Sequence, residues 1–218
     1  RRTDHRPANH PPHQPPHQPP RPHRPTTEER KHGQLWATSY YETPLSGRDQ
    51  LQHMIAYVHD NPRRLLLKRQ HSALFRPFSL TAAGIAFTAV GDAAILTRHP
   101  CRKAVRLSTR LSQSEILAEV KKHADMADNG VLMISPFVSP AEKAVMLKLQ
   151  EEGQPYIRID GNSFGQYYKP SGRECDLIAA NMLLILAPWP CQEHPRHLGK
   201  AQFEALNAIA RLLAAPQA

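Results

Sequence analysis

The chain has 218 residues, with 40% hydrophobic residues, 21 prolines and a formal net charge of +9. This length suits one large domain, or a smaller domain with a tail. A pI near 9.7 favours a polyanionic partner, nucleic acid first, over a merely solvated basic surface. Three scattered cysteines, Cys101, Cys175 and Cys191, contain no Cys-x-x-Cys. They indicate neither a zinc knuckle nor a redox pair, and their odd number suits a reducing cytosol. No apolar run is long enough to span a bilayer, and residues 1–30 lack the apolar centre of a signal peptide. The expected location is cytoplasmic, away from membranes. Arg1 in place of a methionine suggests a fragment or a processed product.

Residues 1–30 are low in complexity, with His-Gln-Pro-Pro in tandem at 13–16 and 17–20. Proline at this density opposes helix and sheet ladders, so a disordered Pro/His-rich arm is expected. Leu35, Trp36, Tyr40 and Tyr41 follow, as packing for the next helix or as stacking surfaces for unpaired bases.

A helix is expected from Ser46 to Asn61, with Leu51, Met54, Ile55 and Val58 as its buried stripe. Pro62 should end it. Tyr57 and Asn61 lie four residues apart, roughly 40° from each other around the axis. A phenol oxygen can attack a phosphodiester, and an amide oxygen nearby can help hold a polarising metal. A tyrosine at a helix flank is more ordinarily a packing residue. Arg63, Arg64, Lys68 and Arg69 surround three leucines and are candidate phosphate contacts, or the edge of a linker.

From residue 78 the pattern alternates. Strands are expected at 85–90, 93–97, 104–107, 131–134, 156–159 and 183–186. Helices are expected at 112–127, 139–151, 172–181 and 200–213. Ser112 with Glu115 and Ser139 with Glu142 form capping boxes, and Pro140 takes the first helical position. Alternating strands and helices predict an α/β class: a Rossmann-like, mostly parallel sheet with helices on both faces. The expected division is an arm at 1–30, a helical segment at 31–77 and the α/β domain at 78–218.

In such sheets ligands settle beyond the carboxyl ends of strands, and helix N-termini suit phosphate. Ser135, Ser139, Lys169, Ser171, Gly172 and Arg173 are therefore candidate phosphate or nucleotide contacts. The plainer reading is that the serines cap helices and the prolines shape turns. Asp160 is a candidate magnesium ligand or a turn former. Neither Gly-x-Gly-x-x-Gly nor a Walker A motif is present.

The stretch Leu35-Trp36…Tyr40-Tyr41-Glu42…Ile55-Ala56-Tyr57-Val58-His59-Asp60-Asn61-Pro62-Arg63-Arg64 resembles the C-terminal part of single-tyrosine (HUH-type) transposases of the insertion sequence 200 type, in particular the REP-associated branch. The resemblance covers residues 33–70. It implies Tyr57 as nucleophile on single-stranded or hairpin DNA, Asn61 as a ligand to Mg²⁺ or Mn²⁺, and a homodimer as the working form. The family's His-hydrophobic-His pair has no counterpart in this sequence. A phenol with a pKa near 10 and no such metal site is a poor nucleophile, so a truncated protein, inactive alone and without cofactor, is expected. Val131…Ile134-Ser135-Pro136…Ser139-Pro140, Lys169-Pro170-Ser171-Gly172 and Leu186-Ala187-Pro188-Trp189-Pro190 are similar in layout to the Rossmann-like domain of the DNA-processing protein A and lysine-decarboxylase-like superfamily. That layout implies a nucleotide or single-stranded DNA ligand. The two functional expectations are thus a transposase-related DNA-binding protein and, as its alternative, a nucleotide-binding or nucleotide-sensing module.

Overall fold

A computed structural model describes residues 47–165, 168, 170, 172–192 and 197–216. The Pro/His-rich arm, the aromatics of 35–41, the Ser46 cap, Lys169 and Ser171 lie outside the described residues. The chain resolves into two units, 1–53 and 54–218. Of the first, only the opening of α1 is described.

Helix α1 spans Arg48–Gln70 and runs past the expected stop, with Pro62 inside it. Proline here removes one i to i−4 bond, and flanking turns carry the helix through. The expected buried stripe is also corrected: Leu51, Met54, Ile55 and Val58 are all about half exposed. The held side is the opposite one, where Leu67 packs on the core of the α/β unit. Periodicity identified a stripe but not the face that would be covered.

The α/β unit continues with β1 (Phe78–Ala82), β2 (Ile85–Gly91), α2 (Ile95–Arg98), β3 (Arg102–Ala104), α3 (Gln113–Asp128), β4 (Leu132–Ser135), α4 (Pro140–Glu151), β5 (Tyr156–Ile159), α5 (Gly172–Ala179), β6 (Leu183–Ala187) and α6 (Lys200–Ala214). One six-stranded sheet has the order β1-β2-β6-β5-β4-β3. Strands β3, β4, β5 and β6 are parallel neighbours, and β2 joins β6 antiparallel as half of the β1–β2 hairpin.

The central strands Leu-Met-Ile-Ser and Leu-Leu-Ile-Leu-Ala are buried at every position, as parallel strands covered on both faces must be. Their two-residue period divides the core. Met133, Leu183, Ile185 and Ala187 meet one apolar cluster, with Val145 and Leu149 of α4 and Ile178 of α5. Leu132, Ile134, Leu184 and Leu186 meet the other, with Leu206, Ala210 and Leu213 of α6. Crossovers between parallel strands are right-handed, and β3 to β6 advance in one direction, so α3, α4 and α5 share a face. Helix α6 returns beneath β3 and β4 on the other face, where Ile95 of α2 also packs.

Three local expectations are corrected. Residues 93–97 are a turn and the short helix α2, because Asp92 Oδ1 accepts from Ala94 N at 2.9 Å and opens a helical turn. Strand β3 lies at 102–104, because Leu107 N leaves the ladder to donate to Glu142. Strand β1 was not expected. Its hairpin turns on Ala83 and Gly84, both at positive φ (49° and 73°), the turn geometry that matches strand twist. Alanine gives no warning of that turn. No helix among the described residues is long and apolar enough to cross a membrane.

Candidate functional site

Helix α1 sets Tyr57 and Asn61 one turn apart, and both are exposed. The Arg64 guanidinium carbon lies 5.3 Å from the centre of the Tyr57 ring, within cation–π range. Between them, Asp60 Oδ1 accepts from Arg63 Nε at 2.6 Å, and Asp60 Oδ2 accepts from Arg64 Nε. Bonds from Arg63 and then Arg64 hold the Asp60 carboxyl below the usual carboxylate range. Arg63 also donates to both carboxylate oxygens of Asp176 on α5. A Cβ on Gly172 would lie 2.6 Å from Arg64 Nη2, so glycine admits that guanidinium to the head of α5. Arg63 and Arg64 thus clamp α1 to α5. Lys68 is half-buried and Arg69 exposed. Among the described residues no group of three or more His, Cys, Asp or Glu side chains converges as metal ligands would.

A second locus opens at the carboxyl edge of the sheet. The loops after β3 and β4 and the start of α6 enclose a cleft of about 840 Å³. Its walls mix apolar Leu107, Val138, Leu198 and Phe203 with the cations Arg106 and Lys200. Helix α6 contributes Lys200, Phe203, Glu204 and Asn207, spaced as one helical face. Its cap is Gly199, which has no side chain to bond the first-turn N–H groups. That helix end and Lys200 border the cleft. Asn207 Oδ1 is buried without a donor among the described residues.

The expected phosphate contacts divide among three places. Ser135 is buried, and its Oγ accepts from Phe137 N at 3.0 Å, which steadies a loop where Phe137 takes φ 50°. Ser139 caps α4, accepting from Glu142 N at 3.1 Å, and borders the cleft. Gly172 and Arg173 open α5 beside the α1 clamp, away from the cleft's lining. Asp160 Oδ1 accepts from Asn162 N at 3.0 Å in a turn, and its other oxygen faces Arg158, which also bonds Glu174. Beside this network, burial and then the Glu174 charge push the Tyr168 phenol up to about 12. Sequence reasoning missed Arg106, Lys200, Phe203 and Asn207. The available signal was the Gly-Lys start of α6 with a helical-face spacing beyond it.

No protein-family model and no curated protein matches the chain. Two solved structures are similar to it. One is DNA processing protein A from Helicobacter pylori, described for its single-stranded DNA binding mode. It shares 18% identity over 64% of this chain and 66% of its own, with a TM-score of 0.49. The other is DNA processing protein A from Streptococcus pneumoniae, with 22% identity over 77% of this chain and 60% of its own, and a TM-score of 0.47. The chain thus spans less than two thirds of the length of either.

Proposed function

We propose that the α/β unit binds single-stranded DNA through the carboxyl-edge cleft. The observation that carries the reading is the joint presence there of Arg106, Lys200, the glycine-capped head of α6 and the ring of Phe203. Cations and a helix N-terminus suit backbone phosphates, and an aromatic face suits an unpaired base whatever its identity. The cleft's volume lies within the range of small-ligand sites, so a mononucleotide is the second reading. The net charge of +9 favours the polymer. The transposase resemblance at residues 33–70 names the same partner, and Tyr57 and Asn61 enter the proposal only through that resemblance.

Binding of a labelled oligonucleotide across a salt series tests the reading. Affinity is expected to fall steeply with salt. Arg106→Ala and Lys200→Ala should each flatten the log–log slope by about 0.7, the share of one single-strand phosphate contact. Phe203→Ala should cost about 1–3 kcal/mol at every salt concentration. A chain that binds a mononucleotide and ignores DNA would reject the polymer in favour of the second reading.

A further inference from the structure

Glu142, in the first turn of α4, is only 3% exposed. A buried carboxylate persists only where donors replace its water. Its Oε1 accepts from Leu107 N at 3.1 Å, and its Oε2 accepts from Val138 N at 2.9 Å and Ser139 N at 3.2 Å. A capping box requires only the bond from Ser139. The second donor comes from the loop before α4. The third comes from the loop after β3, 35 residues away in sequence. Three backbone N–H groups converging at a helix head form an anion hole of the kind that holds phosphate. Leu107, Val138, Ser139 and Glu142 all border the cleft.

We infer that Glu142 is a built-in anion: it fills the phosphate position at the head of α4 and directs the backbone of a bound strand to Arg106 and Lys200 instead. The inference rests on the single-stranded DNA reading and deepens it. A mononucleotide phosphate seeking the α4 head meets a fixed negative charge that already holds the donors. A strand spanning Arg106 and Lys200 does not need that position, so the site selects a polymer over a mononucleotide. Glu142 is in this sense a positioning residue. It also fixes the loop that carries Arg106, since Leu107 is bonded to it.

The test uses the whole chain with Glu142→Ala and with the isosteric Glu142→Gln. A merely structural role lowers melting temperature in both and does nothing else. The built-in anion makes two further demands. Inorganic phosphate should bind Glu142→Ala at least about tenfold more tightly than wild type, read by calorimetry or by a phosphate-dependent rise in melting temperature. The salt slope for an oligonucleotide should steepen by about 0.7, as one more phosphate is held. A folded Glu142→Ala chain with no phosphate response, or with an unchanged slope, overturns the inference. If Glu142→Ala does not fold, Glu142→Ser decides: its short side chain leaves the position open, so the same phosphate response is required, while Glu142→Gln, which still fills the position, should show none. If wild type binds no oligonucleotide, the single-stranded DNA reading falls, while the phosphate comparison still judges Glu142.

Discussion

At the scale of single residues, chemistry depends on what surrounds each group. The Tyr57 hydroxyl belongs to an exposed ring, and the Arg64 guanidinium, itself bonded to Asp60, lies over that ring. Accessibility is thus met, but no group of three or more His, Cys, Asp or Glu side chains converges as metal ligands among the described residues. Incubating the chain with single-stranded hairpin DNA and Mn²⁺ is expected to yield no covalent adduct; one that disappears in Tyr57→Phe would show the site to be competent. Two other tyrosines predict a pH response. Burial raises the Tyr156 phenol above its ordinary 10.0, partly offset by the bond from Gln150, and Tyr168 is pushed up to about 12. A raised folded-state pKa means that the unfolded chain loses its protons first as pH rises. Their stabilising effect is therefore complete below about pH 10 and is lost as pH climbs toward 12. Urea midpoints should decline over that window, and Tyr168→Phe should flatten the decline. A flat wild-type profile would contradict the burial argument.

Among elements, local signals were most reliable where a cap and a period agreed. Ser112 with Glu115 and Ser139 with Glu142 form the expected boxes at the heads of α3 and α4. The strand at 156–159 stands where its β-type residues placed it. Caps are worth about 1 kcal/mol, so Ser112→Ala should cost about that. Ser139 is 6% exposed, and its loss leaves the Glu142 N–H without an acceptor in a dry site. Ser139→Ala should therefore cost about 2 kcal/mol, and paired denaturant titrations would show the difference. Signals failed where a rule is a preference with exceptions. Pro62 penalises a helix without forbidding it, and Arg63 and Asp176 tether the turn that follows. The Ala83–Gly84 turn escaped notice because one of its positive-φ residues is alanine.

In the whole molecule, the hairpin must attach to an otherwise parallel sheet, and Gly91 permits it. Its φ is +113°, and a Cβ there would lie 2.2 Å from the Leu183 carbonyl oxygen. Gly91→Ala should destabilise the protein by about 3 kcal/mol or more, through strain and steric overlap with backbone. Gly84→Ala, with open space around it, should cost only about 1 kcal/mol. Similar losses at both sites in chemical denaturation would refute this account. The class of fold, most element positions and both capping boxes could be read from the chain itself. They follow from hydrophobic period and backbone capping, which act between residues close in sequence. Which face of α1 is covered, that Arg63 and Arg64 clamp α5, and that Glu142 fills the α4 head were decided only in three dimensions. Each depends on a partner brought near by the crossovers of the sheet: Asp176 for Arg63, Gly172 for Arg64, Leu107 for Glu142. Local spacing carries no record of such distant neighbours, because only the packed topology determines which loops meet at the sheet's edge.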